Sequence, residues 1–229
     1  MNQLHTNTVS PEILSLLNEL MKDNEMHNFR LVGETALSLL IGHRKSIDID
    51  LFTDKDFNVL RVFEKLHDKY AYIQNSFSDT GTRGYIGTIK CDFFNHNHLW
   101  LDNPVVIDNI RMASVKEIAA MKIYAIIESN GKRLKDFVDI AFISEFLSLQ
   151  QILSSFQEKY KGFTDTLALK AMFHFGNIDF TKPIELISNE FNWTGFEKRF
   201  ELMLDNPNSV LPKLESKTIA YKQKRGRKL

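Results

Sequence analysis

The sequence predicts an α+β fold: a small mixed sheet flanked by helices over residues 1–112, then a helical domain with a basic tail over 113–229. Three observations predict it. Short apolar or alternating runs at Phe29–Val32, Ile47–Phe52, Tyr70–Phe77 and Gly84–Phe94 are confined to the first half. Beyond Ser114 the apolar residues recur at helical spacing instead. And 229 residues, 43% hydrophobic and 25% charged, suffice to bury a proper core in one large or two small domains.

The elements follow in order. Ser10-Pro11-Glu12 is a helix start, with a capping hydroxyl, Pro in the first turn and an early acid. Ile13, Leu16, Leu17, Leu20 and Met21 give that helix one apolar face. The strand Phe29–Val32 runs into Gly33, a short helix, the basic loop Gly42–Ser46 and the strand Ile47–Phe52. Asp54 or Asp56 is placed to cap the next helix, buried through Phe57, Leu60, Val62, Phe63 and Leu66. Tyr70–Phe77 and Gly84–Phe94 read as two strands about the turn Ser78–Gly81, and Asn95–Asp108 as irregular. Ser114 with Glu117 reads as a capping box opening a helix to about Ile127. Further helices are expected at Arg133–Leu147, Leu149–Tyr160, Thr164–Phe173, Ile184–Phe191 and Gly195–Leu204.

The formal charge of zero conceals an asymmetry. Lys217, Lys222, Lys224, Arg225, Arg227 and Lys228 form a tail without an acid, which leaves the preceding residues six acids in excess. Such a tail is a handle for nucleic acid or a solvated terminus. The single cysteine, Cys91, excludes an internal disulfide and fits a reducing compartment. No apolar run approaches the ~20 residues that span a membrane, and the N-terminus lacks the pattern of a signal peptide. A cytoplasmic protein without a membrane partner is expected.

Three carboxylates ask for a function. Asp48 and Asp50 alternate with Ile47, Ile49 and Leu51, so on a strand the acids share one face and the apolar residues the other. Asp92, on a later strand, joins them if the strands are neighbours. Converging acids repel unless a cation sits among them. Mg²⁺, a hard cation held by a few carboxylates and substrate phosphates, is the expected ligand, and two such ions clamp an in-line displacement at phosphorus. Gly33 lets the backbone turn sharply, the amides that follow suit phosphate, and Thr35 supplies a hydroxyl. Arg44, Lys45 and Ser46 place positive charge ahead of the acids, for a polyanion or for salt bridges to Asp48 and Asp50.

A second cluster is Lys122 with Asp136 and Asp139, the two acids three apart on one helix face. By itself it reads as a helix–helix salt bridge. His96 and His98 lack a third metal ligand, and no Ser/His/Asp or Cys/His arrangement is legible.

These residues carry a resemblance. Leu31–Leu39, Gly42-His43-Arg44 and Ser46–Phe52, followed by Ile118–Lys122 and Lys135–Ile140, resemble the AbiEii/AbiGii-type nucleotidyltransferase toxins of the DNA polymerase β-like superfamily, and are similar to MenT-type toxins. The resemblance implies a nucleotidyltransferase sheet with a helical C-terminal domain. It makes Asp48, Asp50 and Asp92 the metal ligands, Lys122 a triphosphate contact or support, and Asp136 or Asp139 the C-terminal acid. It places Gly33, Glu34, Thr35, Arg44, Lys45 and Ser46 at the nucleotide. The implied activity is Mg²⁺-dependent transfer of NMP from an NTP to tRNA or a protein, within a toxin–antitoxin or abortive-infection system with a cognate antitoxin. Glu34 departs from the family's Gly-Gly or Gly-Ser and adds a negative charge. Two rival readings follow: a nucleotide- or RNA-binding protein impaired in catalysis, and a small-molecule, antibiotic-type nucleotidyltransferase.

Overall fold

The computed structural model describes residues 3–188 and 190–214. The basic tail from Lys217 onward lies outside the described residues.

Seven strands form one mixed sheet: β1 (Arg30–Leu31), β2 (Ile49–Thr53), β3 (Ile73–Ser78), β4 (Gly81–Ile86), β5 (Ile89–Asn95), β6 (Val105–Ile107) and β7 (Ile110–Met112). Their order is β3-β4-β5-β2-β1-β7-β6. The β2–β5 and β1–β7 pairs are parallel and the others antiparallel. A parallel neighbour needs a crossover. For β2 and β5 that crossover holds the helix α3 (Val59–Tyr70) and the β3–β4 hairpin.

The helices are α1 (Pro11–Lys22), α2 (Gly33–Ile41), α3, α4 (Val115–Glu128), α5 (Leu134–Ile143), α6 (Leu149–Lys159), α7 (Asp165–Met172) and α8 (Trp193–Asp205). Ser10 accepts the Ile13 N–H at 3.3 Å and starts α1, whose Ile13, Leu17 and Leu20 are buried. Gly42, left-handed at φ 72°, ends α2 and lets the chain turn back toward the sheet. One apolar core runs through both halves, from Leu17, Phe29 and Phe93 to Phe137, Phe156 and Phe200.

Several expectations are corrected. Helix α3 is capped by Asn58, whose Oδ1 accepts the Arg61 N–H at 2.9 Å, and not by Asp54 or Asp56. Gly84–Phe94 is not one strand but two, because Gly87 turns at φ 58° and Ile86 pairs with Ile89 across it. The irregular stretch contains β6, which forms a hairpin with β7 just beyond it, closed by left-handed Asp108 and Asn109. Ser114 does cap α4, but the Glu117 carboxylate turns away to the Leu101 N–H (2.6 Å) and Lys159 (2.5 Å), so the box is not closed. The box forms at α6 instead, between Ser148 and Gln151. Residues 184–188 are not helical: the Lys45 N–H donates to the Glu185 carbonyl and the Ile187 N–H to that of His43, so the segment pairs with the basic loop as a short extended bridge. Strand β2 starts at Ile49, and Ile47, expected on the apolar face, is 73% exposed in the loop before it.

Candidate active site

Two adjacent strands bring the acids together. In the parallel β2–β5 pair Asp50 stands opposite Asp92, with buried Ile49 and Leu51 alternating against Cys91 and Phe93 on the core side. Neighbouring strands lie only about 4.8 Å apart, so the two carboxylates share one patch of the sheet face. Asp48 precedes the strand and is fixed from behind. The Thr35 hydroxyl donates to its carbonyl, and the Thr35 and Ser46 hydroxyls lie 2.8 Å apart, tying the loop to α2. Gly33 closes the site below. It is left-handed at φ 67°, and a Cβ there would fall 2.8 Å from Asp50 Oδ2, so only glycine admits the carboxylate.

The electrostatics of this patch are unbalanced. Burial, and then the Asp92 charge, push the Asp50 carboxyl up to about 6. Burial also raises Asp48, which Lys90 partly offsets. Asp92 Oδ2 receives Lys90 Nζ at 2.8 Å and lies 3.5 Å from Arg83 Nε. Its Oδ1 is buried and has no partner among the described residues.

Glu34 enters the site at the start of α2 but is surrounded by cations. Arg44 Nη1 lies at 3.2 Å, Arg133 Nη2 at 3.5 Å, and Lys135 Nζ makes a close contact. Burial disfavours its charge, yet Lys122, Arg44 and Lys135 outweigh this and hold its carboxyl at about 2. Its charge is therefore matched rather than free.

Behind Glu34 lies a buried ionic network. Arg44 grips Asp139 with Nε (2.6 Å) and Nη2 (2.9 Å), and His43 Nε2 lies 2.8 Å from the same carboxylate. Lys122 bridges Asp136 and Asp139, each at 2.6 Å. Lys122, Arg44 and His43 are each 4% exposed, and the two acids are fully buried. Burial opposes ionisation of Asp139, but Arg44 and Lys122 hold it well below the carboxylate range. Asp136 reaches the cavity wall beside Lys122, whereas Asp139 sits behind it.

A cavity of about 600 Å³ covers the acids. Gly33, Glu34, Asp48, Asp50, Asp92, Lys122 and Asp136 line its polar end, and Phe52, Phe94, His96, His98, Tyr124 and Tyr160 its aromatic end. A second cavity of about 790 Å³ adjoins it through Glu34, Asp48, Arg133 and Lys135. Arg44, Lys45 and Ser46 belong to this second cavity, with Lys132 and Lys182. Of the expected nucleotide contacts, Gly33 and Glu34 therefore face the first cavity. Thr35 is occupied behind it, Arg44 by Asp139, and Lys45 Nζ donates to the Asn7 carbonyl at 2.6 Å.

Sequence reasoning missed Lys90, Arg83 and Arg133. Lys90 had a signal, since it precedes Asp92 by two on one strand and shares its face. Arg83 is placed only by the β4–β5 register, in which it pairs with Asp92. Among the described residues no three acidic, histidine or cysteine side chains form a ready-made metal cage. The donor set nonetheless suits Mg²⁺, which is commonly held by one or two carboxylates completed by substrate phosphates and water. The unpartnered Asp92 Oδ1 beside Asp50 is the observation that fits.

Residues 15–92, which include all three acids, match the family described as nucleotidyl transferase AbiEii toxin of type IV toxin–antitoxin systems. The uncharacterized protein aq_aa25 of Aquifex aeolicus (strain VF5) is 30% identical over 156 residues, covering 65% of this chain and 74% of that protein. Two solved structures share the fold. One is a protein of H. pylori described as a nucleotidyltransferase, 18% identical, covering 86% of this chain and 94% of that one with a TM-score of 0.53. The other is ANT(2″)-Ia in complex with adenylyl-2″-tobramycin, 16% identical, covering 64% and 96% with a TM-score of 0.51. The strand-borne acids, the glycine turn beneath them and these matches agree: the chain belongs to the AbiEii family of nucleotidyl transferases.

Proposed function

We propose that the protein transfers NMP from an NTP to an acceptor hydroxyl in a Mg²⁺-dependent reaction, as the toxin of a toxin–antitoxin or abortive-infection pair. The observation that carries this is the Asp50–Asp92 register, which sets two carboxylates side by side at the floor of a nucleotide-sized cavity. In the reaction the acceptor oxygen bonds to the α-phosphorus, the bond from that phosphorus to the bridging oxygen breaks, and pyrophosphate leaves. Asp48, Asp50 and Asp92 would hold two Mg²⁺ ions, which neutralise charge on the attacking and leaving oxygens. Asp92 is the candidate to take the hydroxyl proton. Lys122 and Asp136 brace the wall at the phosphates, and the aromatic end of the cavity suits a stacked base.

The acceptor, tRNA or a protein, would enter through the second cavity, which meets the first at Asp48. Its cations, Lys45, Lys132, Arg133, Lys135 and Lys182 among them, outnumber its acids, Glu34, Asp48, Asp179 and Glu185, which favours an anionic acceptor over a polycation such as an aminoglycoside. That weighs against the antibiotic-type reading. The matching of Glu34 by three cations weighs against the impaired-catalysis reading. In this reading the first domain, residues 1–112, supplies the acids, and Lys122, Tyr124, Asp136 and Tyr160 of the second close the cavity. An NTP-consuming reaction with a free cysteine belongs in the cytoplasm, where an antitoxin protein would restrain it. Among the described residues no helix is long and apolar enough to cross a membrane.

The test is incubation with each labelled NTP, Mg²⁺ and either total tRNA or a protein extract. Label should appear in a nuclease- or protease-sensitive product and vanish with EDTA. No transfer with any nucleotide and either acceptor pool would sink the proposal.

A further inference from the structure

Of the three lysines that line the cavity, Lys122 and Lys90 are held very differently. Lys122 is 4% exposed and bonded to two buried carboxylates, so moving it would strand charges in the core. Lys90 has a side chain 37% exposed, one carboxylate contact, and a strand position open to the cavity. Its ammonium lies 2.8 Å from Asp92 Oδ2 and within the field of Asp50 and Asp48. Arg83, the other cation on Asp92, is longer at 3.5 Å and is anchored over the Phe94 ring, 4.9 Å from its centroid. Asp92 itself is 7% exposed, lines the cavity, and among the described residues its buried Oδ1 has no partner.

We propose that Lys90 is a tethered counter-ion to the acid pair, occupying the resting site in competition with the divalent cation and yielding its place when metal and nucleotide arrive together. This rests on the metal-dependent reading above. Two carboxylates in direct register destabilise each other, and without a metal a flexible ammonium on the same strand offsets that repulsion. Because Lys90 is part-exposed, it can turn to water or to incoming phosphates without leaving a buried charge unmatched. Arg83, farther from Asp92 and set over the Phe94 ring, is the less direct counter-ion. Bare metal then binds weakly, and metal accompanied by triphosphate binds well, since the phosphates give the displaced ammonium a new partner. The resting enzyme is thereby kept from holding metal without substrate.

The test is a titration of Mn²⁺ followed by the EPR signal of the free ion, without nucleotide, on the full chain. Lys90→Met should bind Mn²⁺ roughly fivefold tighter than wild type, the ratio expected from losing one part-exposed ion pair. Lys90→Arg, which keeps the charge, should stay within about twofold of wild type. With a non-hydrolysable NTP present, the advantage of Lys90→Met should disappear. Asp50→Asn separates the two ideas. Mn²⁺ binding that depends on Asp50 but is equal in wild type and Lys90→Met overturns the role of Lys90 and leaves the metal reading standing. No Asp50-dependent binding in either protein, with or without nucleotide, overturns both. A thermal melt in metal-free buffer gives a second readout: Lys90→Met should melt lower and be restored by Mn²⁺, and an unchanged melt contradicts the counter-ion role.

Discussion

Asp50 and Asp92 face each other across a parallel strand pair; among the described residues Asp92 Oδ1 has no partner, and Lys90 and Arg83 both meet Asp92 at Oδ2. Such a pair costs stability in the resting protein. In the proposed function this pair serves the reaction and not the fold's support.

Replacing either acid by its amide should therefore separate stability from activity. Asp50→Asn and Asp92→Asn are expected to melt at or above the wild-type temperature in metal-free buffer, by up to roughly 1 kcal/mol. A loss of several kcal/mol on thermal denaturation would assign the pair to the core instead.

Asp139 should behave in the opposite way. Asp139→Asn leaves Arg44, His43 and Lys122 short of a counter-charge in the core, and a loss of about 3–5 kcal/mol is expected. The pH dependence has a definite sign. The folded value of Asp139 lies below its unfolded value of about 3.9, so its contribution is full above that pH and is lost as pH falls below it. Melting curves of the variant should thus be flatter between pH 4 and pH 2 than those of wild type. Asp136→Asn, which spares the Arg44–Asp139 grip, should lose less.

Glu34→Ser should strengthen nucleotide binding. Lys135 and Arg133 lose a partner at the mouth of the cavity and become available to the triphosphate. An affinity gain of roughly three- to tenfold for a non-hydrolysable NTP is expected by titration calorimetry at low salt, shrinking as salt rises. Weaker binding would mean that Glu34 positions the nucleotide itself.

Gly33→Ala meets two penalties at once. The left-handed backbone costs an L-residue about 1–2 kcal/mol, and its Cβ would press on Asp50 Oδ2. Thermal denaturation should show that loss, and transfer should fall further than stability alone explains, because the displaced group is the carboxylate. An unchanged transfer rate per folded molecule would contradict the placement of Asp50.

What could be read in the sequence was what local rules govern. Period two put Asp50 on the open face, Ser10 and Ser114 announced their helices, and the acids of α5 were placed on one face. What could not be read was set by partners far along the chain. The Asp50–Asp92 pairing depends on β5 docking parallel to β2, and nothing within either segment states it. Arg44 looked like a polyanion contact until Asp139, ninety-five residues on, took its guanidinium. The segment at 184–188 has helical composition but is claimed by the backbone of residues 43–45. The hairpin at Gly87 was hidden because the apolar residues on either side of it read as one strand, although a two-residue Gly turn is a local signal.

That the Asp50–Asp92 pair carries the transfer is the core of the proposed function. It is tested most directly by pyrophosphate release in the presence of NTP, Mg²⁺ and acceptor RNA, comparing wild type with Asp50→Asn and Asp92→Asn at equal folded concentration. The expected result is release that requires Mg²⁺ in wild type and falls at least about a hundredfold in both variants. Release by either variant at the wild-type rate would contradict the claim.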